Sequence, residues 1–361
     1  MASTSVTEAA VLGALKSVTD PDLDRDIVSL GFVKNLRIDD GRVAFTIELT
    51  TPACPVKDQM RDQARAAVMR LAGVGDVQIE MTSQVRSAMS PDAGRAPVAG
   101  VKNVIAVGAG KGGVGKTTVA VNLALALAKR GSRVAMIDGD VYGPNVPIML
   151  GVQTQLITDG EKILPAEKYG IQVVSMGFLT QDDAPIIWRG PMLHGVVQQF
   201  FREVRWEDVD YLVIDLPPGT GDVVLSLSQT VPVAGAIVVT TPQVVSLADT
   251  RRALRMYQKL NIPTLGLIEN MSHFVCPSCQ HESHIFGKGG GEALAESMGV
   301  PFLGGIPIYE PIRVGGDHGV PIVVSEPDSP AGRAFIAAAE RTAAQVSIAS
   351  YRKPISLTPI N

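Results

Sequence analysis

The sequence predicts an α/β protein: a small N-terminal α/β domain, then a larger domain built on a doubly wound, mostly parallel sheet. Short, almost entirely apolar runs recur from residue 101 onward, as expected for strands buried on both faces of a parallel sheet. These runs are residues 104–107, 134–137, 211–214, 236–239 and 264–268. Helical segments at residues 117–129 and 247–260 supply crossover connections between them.

Residues 1–83 have the pattern of the smaller domain. The predicted elements are a helix at 7–17, strands at 32–38 and 43–49, a helix at 55–71 and a strand at 77–81. Asp39, Asp40 and Gly41, between the first two strands, are a hairpin signal. Pro55 suits the first turn of the second helix.

Residues 84–100 are rich in serine, proline and glycine and lack periodicity. This composition favours a linker, with a structured loop as the alternative. Residues 101–361 then form the larger domain, which carries an alanine-rich helix at 331–348 that we expect on its outside.

The composition agrees with this fold class. Hydrophobic residues make up 46% of the 361 residues and aromatic residues only 5%, as in an aliphatic core. A net charge of −4 without an extended basic run predicts no nucleic-acid partner. No apolar stretch approaches the roughly 20 residues that span a bilayer, and the first residues lack a secretory-signal pattern, so we expect no membrane association. Three cysteines, a small and odd number, argue against a disulfide framework and favour the cytoplasm.

A glycine-rich segment between the strand at 104–107 and the helix at 117–129 predicts a phosphate-binding loop. Its residues are Gly110, Lys111, Gly112, Gly113, Val114, Gly115, Lys116, Thr117 and Thr118. Glycines allow the tight backbone that points several N–H groups at one phosphate, and the following helix adds its positive N-terminus. We expect Lys116 to reach the β- and γ-phosphates of ATP and Thr117 to ligate Mg²⁺, which predicts a nucleotide hydrolase.

Lys111 is a second lysine inside the same loop. Its position resembles the deviant Walker motif, whose extra lysine crosses a nucleotide-sandwich dimer and contacts the phosphates in the partner subunit. The resemblance implies a homodimer coupled to ATP, with Lys111 and Lys116 both catalytic. A solvated loop lysine is the alternative.

Carboxylates follow two of the predicted strands, at the edge of a parallel sheet that faces the ligand crevice. Asp215 follows the strand at 211–214 and is the expected Walker B group, supporting Mg²⁺ through a water molecule. Asp140 is the candidate for orienting the attacking water, since it lies in a predicted switch segment with Gly143 and Pro144. Asp138 either hydrogen-bonds to the groups that ligate Mg²⁺ or caps a helix.

Asn270 follows the strand at 264–268. Its amide offers both a hydrogen-bond donor and an acceptor, as recognition of a purine edge requires. A turn-forming asparagine is the alternative.

Cys276 and Cys279 form a pair whose spacing suits one metal centre. Four interpretations are open. With His281 and His284 the pair could bind zinc, although four ligands within nine residues would strain one tetrahedron. A redox dithiol would open a helix, whereas this pair lies in a polar loop at 272–283; an inert loop is the third interpretation.

A shared iron–sulfur cluster is the fourth interpretation, and the sequence favours it. A [4Fe–4S] cluster takes four thiolates, and a two-fold axis doubles the two that one chain offers. The homodimer implied by Lys111 supplies that axis. Cys54, before a predicted helix, is either an accessory ligand or transfer thiol, or a partly buried small residue.

Together these residues resemble the Mrp/ApbC family of iron–sulfur cluster carrier ATPases, which are MinD/ParA-like. The resemblance rests, in chain order, on the loop at 110–118, the segments 138–144, 188–192, 215–222 and 269–272, and the cysteine pair. The first 83 residues resemble the small iron–sulfur-assembly domain fused to bacterial members, including Cys54 in its Thr-Thr-Pro-Ala-Cys-Pro context. The resemblance implies an ATPase that carries a labile [4Fe–4S] cluster at a homodimer interface, receives it from scaffold or donor proteins and delivers it to apoproteins. His281 and His284 are not ligands in that family and keep the zinc interpretation open.

Three rival functions are less well supported. A positioning or partition-type ATPase with a structural zinc site shares the deviant loop, but its membrane-binding version needs a basic amphipathic C-terminal helix, which residues 331–348 do not provide. A nitrogenase-type iron protein spaces its cysteines widely. A non-catalytic zinc scaffold would leave the complete nucleotide site unexplained.

Overall fold

The fold is described from a computed structural model, which describes residues 6–88, 95–140, 143–178, 190–219, 224, 227 and 229–351. The chain forms two compact units, Met1–Arg86 and Ser87–Asn361. The boundary between them falls inside the segment that the sequence suggests as a linker, of which residues 89–94 lie outside the described part.

The first unit places two helices beside a small sheet. Its strands are β1 (Thr19–Asp20), β2 (Arg25–Asp26), β3 (Val33–Asp39), β4 (Arg42–Leu49) and β5 (Asp76–Ser83), and its helices are α1 (Glu8–Leu15) and α2 (Lys57–Met69). Strand β4 pairs antiparallel with β3 and parallel with β5. The Thr7 side chain accepts a hydrogen bond from the Ala10 amide and so caps α1. Pro55 lies before the helix rather than in its first turn, because α2 begins two residues later, at Lys57.

The second unit contains the large sheet. Its strands are β6 (Val101–Ala109), β7 (Val134–Asp138), β8 (Ile157–Thr158), β9 (Ile163–Leu164), β10 (Ala166–Lys168), β11 (Ile171–Ser175), β12 (Val209–Asp215), β13 (Gly235–Thr240), β14 (Thr264–Val275), β15 (Glu282–Ser283) and β16 (Phe302–Ile308). Its helices are α3 (Lys116–Lys129), α4 (Val146–Leu150), α5 (Gly190–Glu203), α6 (Val244–Lys259), α7 (Gly290–Met298), α8 (Glu310–Asp317), α9 (Ile322–Ser325) and α10 (Pro330–Tyr351), with a 3₁₀ turn at Met176–Phe178.

Strand order confirms the predicted doubly wound sheet. Its path is β10-β11-β7-β12-β6-β13-β14-β15, with β16 also paired to β14. All pairs from β11 to β14, and the β14–β16 pair, are parallel, whereas β10 and β15 pair antiparallel. The chain order reverses around β6, so the loop after β6 opens into the crevice at the carboxyl ends of the strands.

Burial explains why the apolar runs form the centre of this sheet. Every residue of β7, β12 and β13 is buried, as in a sheet covered on both faces. Helix α3 is apolar on nearly all sides and buries ten residues. Helix α10 packs on β16 and α3 with Phe335 and Ala338 fully buried. No helix within the described residues is long and apolar enough to cross a membrane.

Strand β14 differs from the sequence prediction. It runs on to Val275 instead of ending at residue 268, because register shifts against β16 at Leu267/Ile268 and Asn270/Phe274 let pairing continue past polar residues. Asn270 therefore lies within a strand and does not follow one. The segment 272–283 is likewise a β-hairpin rather than a polar loop, since β15 pairs back onto the end of β14.

Candidate functional site

The loop between β6 and α3 needs its glycines for two reasons. Gly113 and Gly115 have φ angles of 81° and 80°, in the left-handed region that favours glycine. An added Cβ at Gly110 would lie 2.4 Å from the Asp249 carbonyl carbon, and one at Gly115 would lie 2.3 Å from Asn270 Nδ2. The loop therefore combines backbone conformations and close approaches that side chains would prevent.

Asp215, at the carboxyl end of β12, holds the first two residues of α3. Lys116 Nζ lies 2.6 Å from Asp215 Oδ1, and the Thr117 hydroxyl donates to Asp215 Oδ2 at 2.7 Å. Lys116 is only 7% exposed and Asp215 is 0% exposed, so the pair is removed from water. Burial raises the pKa of Asp215, and the Lys116 charge opposes that rise. The arrangement brings the expected phosphate-binding lysine and both expected magnesium ligands into direct contact.

Asp138 is the residue opposite Asp215 on the neighbouring strand β7. Its Oδ2 accepts hydrogen bonds from the Ser175 hydroxyl at 2.9 Å and from the Val146 amide at 3.2 Å. Its Oδ1 accepts from the Asp140 amide at 3.2 Å. Burial and the nearby Asp215 charge raise the pKa of Asp138 to about 7. Asp138 thus ties the start of α4 and the backbone of Asp140 to the sheet.

Asp140 lies within reach of the buried lysine. Its Oδ2 is 3.7 Å from Lys116 Nζ. This places a second carboxylate beside the loop, two residues beyond Asp138. Lys111 is half-buried in the loop and makes no ion pair with a carboxylate of the described residues.

Asn270 connects β14 to the loop. Its Nδ2 donates to the Val114 carbonyl at 2.9 Å, and its side chain is mostly buried. The next residue, Met271, has a φ of 56°, a strained value for a non-glycine residue and one that marks the irregularity of the strand. The amide donor is therefore used by the loop itself, while the side chain still borders the cavity beside it.

A cavity of about 680 Å³ opens beside the start of α3. Gly115, Thr117 and Thr118 line one part of it, and mostly apolar side chains from α4, β16, α8 and the segment after β15 line much of the rest. Asn145, Arg313 and Asp317 add polar and charged groups to the wall. A volume of this size accommodates a small molecule. Polar groups near the loop and a mostly apolar surface elsewhere suit a ligand with an anionic and an apolar part.

Cys276 and Cys279 lie in the connection between β14 and β15, at the tip of the hairpin. The Cys276 amide donates to the His281 carbonyl at 3.0 Å, and the Gln280 amide donates to the Cys276 carbonyl at 2.9 Å. Cys276 is half-buried and Cys279 is exposed. Hydrogen bonds from the backbone amides of Cys279 and Ser278 lower the pKa of the Cys276 thiol, which favours the thiolate that binds metals.

The side chain of His284, near this pair, has other contacts. His284 Nε2 lies 3.1 Å from Glu282 Oε1, and His284 Nδ1 lies 3.4 Å from the Ser272 carbonyl oxygen. Within the described residues no group of three or more histidine, cysteine, aspartate or glutamate side chains is placed to hold a metal ion. The structure therefore does not gather the four-ligand zinc set of Cys276, Cys279, His281 and His284 within one chain.

Cys54 belongs to the first unit, where it is buried shortly before α2. The Ala53 amide beside it donates to the Thr51 hydroxyl at 3.2 Å. Parts of three segments on which the family resemblance rests lie outside the described residues: 141–142, 188–189 and 220–222.

Sequence reasoning missed two groups at this site. Ser175, which holds Asp138, ends β11, where the apolar residues Ile171, Val173 and Val174 were a usable signal. Ile285 and Phe286 line the cavity from the segment after β15. No local pattern places them there, because the placement depends on the hairpin returning towards α3.

Comparison with known proteins covers both units. Residues 100–343 match the family described as NUBPL iron-transfer P-loop NTPase, and residues 8–81 match the family described as iron-sulfur cluster assembly protein. The iron-sulfur cluster carrier protein of Synechocystis sp. is 47% identical over 352 residues, which cover 96% of this chain and 99% of that protein. The iron-sulfur cluster carrier protein of Escherichia coli (strain K12) is 39% identical over 343 residues, covering 94% and 92%.

Among solved structures, a nucleotide-binding protein from Archaeoglobus fulgidus in complex with ADP is similar to the larger unit. Its sequence identity is 34% and its TM-score 0.56, with 65% of this chain and 91% of that chain covered. The similarity agrees with the parallel sheet and with the phosphate-loop geometry at β6 and α3.

Proposed function

The chain belongs to the iron-transfer P-loop NTPase family, and from this premise we propose that it is an ATP-dependent carrier of iron–sulfur clusters. In this proposal two chains form a homodimer in the cytoplasm, hold one [4Fe–4S] cluster as cargo between them, and transfer it to apoproteins. Scaffold or donor proteins supply the cluster. The names of the Synechocystis and Escherichia coli relatives support cluster carriage by this chain.

The position of the cysteine pair is the observation that carries the proposal. Strand β14 holds Asn270 against the phosphate loop, ends at Val275 and leads directly into Cys276. One continuous strand therefore connects the nucleotide site, through Asn270, to the cysteine hairpin. A structural metal site would not require this connection, whereas a carrier controlled by nucleotide does.

The ligand count supports a cluster shared by two chains. One chain supplies two thiols in the hairpin, one of them with a lowered pKa, and a [4Fe–4S] cluster takes four. Two copies related by a two-fold axis that passes near the hairpins supply all four. Cys279 is exposed, as a ligand at such an interface must be before the partner arrives.

Hydrolysis follows from the residues around Asp215. Thr117 and Asp215 would hold Mg²⁺, which neutralises charge on the phosphates. Lys116, which is paired with Asp215, would then bind the β- and γ-phosphates, and Asp140 would orient the attacking water. Lys111 would contact the phosphates bound by the partner subunit. Asn270 and the apolar part of the cavity would bind the base.

Anaerobic reconstitution tests the carrier function. Iron and sulfide analysis of the wild-type protein should give about one four-iron cluster per dimer. Cys276→Ala and Cys279→Ala should each lose the cluster while still binding ADP, because neither side chain lines the cavity beside α3. Cys54→Ala, which removes the third thiol from the other unit, is the matched control and should retain the iron.

Two results would contradict the proposal. One is iron retained by the Cys276→Ala/Cys279→Ala double variant. The other is one tightly bound zinc per wild-type chain, which would restore the single-chain zinc interpretation.

A further inference from the structure

Two large apolar side chains occupy the turn that follows the cysteine hairpin. The Gly287 amide donates to the His284 carbonyl at 3.2 Å and closes a turn with Ile285 and Phe286 in its middle. Ile285 is 58% exposed and Phe286 is 36% exposed. Central turn positions usually carry glycine, asparagine, aspartate, serine or proline, so this pair is unusual there. Exposed apolar side chains grouped in one place mark a surface that a ligand or partner covers.

The turn borders the cavity beside α3. Ile285 and Phe286 line the same cavity as Thr117 and Thr118, and Tyr309 adds an aromatic side chain to it. Thr117 and Thr118 are at the phosphate end, because they begin the helix that follows the loop. The apolar part of a bound nucleotide, its base, is the group that would bury the two exposed side chains.

The N-terminal side of the turn is held by the sheet. There β15 pairs with β14 through Phe274 with Ser283 and Val275 with Glu282. The Ser283 end is one residue from the turn, and the Glu282 end is three residues from Cys279. Two paired residues therefore connect the turn to the cysteine loop.

The other side of the turn is held at the start of α7. The Gly291 amide donates to Glu269 Oε2 at 2.5 Å, and Glu269 is buried on β14 next to Asn270. At Gly290 an added Cβ would lie 2.6 Å from Leu247 Cδ1, so this backbone packs closely on α6. Between these two anchors the turn is the segment that faces the cavity.

We propose that Ile285 and Phe286 pack against the base of the bound nucleotide, and that this contact couples nucleotide occupancy to the position of Cys276 and Cys279. The inference rests on the proposed function and adds the residues that join its two sites. The base gains apolar contact only when the turn lies against it, and a ligand shifts a conformational equilibrium only through such differential contact. The position of the cysteine hairpin then follows that of the turn.

The test uses full-length, reduced, cluster-free protein with Mg-ADP, which binds without being hydrolysed. Calorimetry gives the ADP affinity. Iodoacetamide labelling followed by peptide mass spectrometry gives the alkylation rates of Cys276 and Cys279 separately from that of Cys54. In the wild-type protein, saturating ADP should change the rates at Cys276 and Cys279 by about threefold or more and leave Cys54 unchanged.

The Ile285→Ala/Phe286→Ala double variant should bind ADP about tenfold more weakly, as loss of two apolar contacts predicts. At ADP concentrations that saturate the variant, its cysteine alkylation rates should stay at the nucleotide-free values. Ile157→Ala is the matched control, because Ile157 is 61% exposed on β8 and does not line the cavity. It should keep the wild-type affinity and the wild-type response.

Each outcome supports or contradicts the base contact or the coupling of the two sites. Unchanged ADP affinity in the double variant shows that the turn does not contact the base. A full cysteine response in the saturated double variant, or no response in the wild type, shows that the turn does not couple the sites. None of these readouts needs a cluster, so a wild-type protein that fails to hold iron would overturn the carrier function and leave this inference to be judged separately.

Discussion

Replacing Lys116 with methionine should destabilise the nucleotide-free larger unit far more at pH 7 than at pH 5. Lys116 Nζ lies 2.6 Å from Asp215 Oδ1, and the Asp215 side chain is 0% exposed. Methionine has a similar length, so the substitution removes the charge with little change in packing. The carboxylate left behind cannot stay ionised without a partner, because an unpaired buried charge is far more costly than a neutral group.

The size of the effect follows from the proton that Asp215 must take up. An aspartate with the ordinary pKa of 3.8 must be held neutral in the folded variant. At 1.36 kcal/mol per pH unit this costs at most about 4.4 kcal/mol at pH 7 and about 1.6 kcal/mol at pH 5. The sign follows from the proton count: the folded variant binds one proton more than the unfolded chain above pH 3.8, so its stability falls as the pH rises.

Urea unfolding followed by tryptophan fluorescence measures this loss. The chain has two tryptophans, Trp188 and Trp206, and both belong to the larger unit, so the signal reports that unit. Trp206 is buried, with its Nε1 donating to the Phe200 carbonyl at 3.1 Å. EDTA keeps the protein free of magnesium during the measurement.

Lys111→Met is the matched control, because it removes a lysine from the same loop without leaving a buried carboxylate unpaired. It should change the free energy of unfolding by no more than about 0.5 kcal/mol at either pH. The reasoning fails if Lys116→Met costs the same at pH 5 and pH 7, or if its cost equals that of Lys111→Met.

Two further predictions concern the loop and its neighbouring strand. Gly115→Ala should abolish ADP binding, because Gly115 has a φ of 80° and its Cβ would lie 2.3 Å from Asn270 Nδ2. Gly112→Ala is the control, because its Cβ would meet only Pro218 Cβ at 3.9 Å, and it should still bind ADP in calorimetry. Equal ADP affinities of the two variants would contradict the steric argument. As the pH rises from 5 to 7, the free energy of unfolding of Asp138→Asn should increase relative to that of the wild type. The native Asp138 keeps its proton up to about pH 7, whereas the unfolded chain releases it near 3.8, so only the wild type loses stability over this range. The slope of that difference in urea unfolding should not exceed roughly 1.4 kcal/mol per pH unit, and a flat difference would show that Asp138 is ionised throughout.

The sequence predicted the centre of the sheet because fully buried parallel strands leave an uninterrupted apolar run. Strand β12, buried at every position, is an example. The edges were harder, since the short strands β8 and β10 bury little and alternate weakly. Glycine spacing likewise predicted the loop between β6 and α3, where backbone conformation and close approaches set the residue type.

The sequence prediction was wrong at β14 for a different reason. A buried strand is predicted to end at the first polar residues after its apolar run, which here are Glu269 and Asn270. The strand continues because distant partners satisfy them: Glu269 accepts from the Gly291 amide, and Asn270 donates to the Val114 carbonyl. Such partners lie 22 and 156 residues away and have no local signal.

Those same contacts give β14 its role in the proposed carrier. A buried polar group is stable only while it is hydrogen-bonded, so each polar residue of the strand fixes it to another part of the unit. Asn270 fixes it to the phosphate loop, Glu269 to α7, and the Ser272 hydroxyl to the Ile306 carbonyl of β16 at 3.1 Å. A change at the loop therefore cannot be absorbed inside β14 without breaking one of these bonds.

The strand leads into the cysteine hairpin, so in the proposed carrier nucleotide would act on β14 at its middle, through Asn270, and the cluster would act on it at its C-terminal end. Coupling of this kind is reciprocal: the factor by which nucleotide changes the affinity for the cluster equals the factor by which the cluster changes the affinity for nucleotide. Nucleotide affinity measured with and without the cargo therefore also gives the effect of nucleotide on cargo binding. Tighter ADP binding by the loaded protein would mean that ADP favours retention of the cluster, and weaker binding would mean that ADP favours its release.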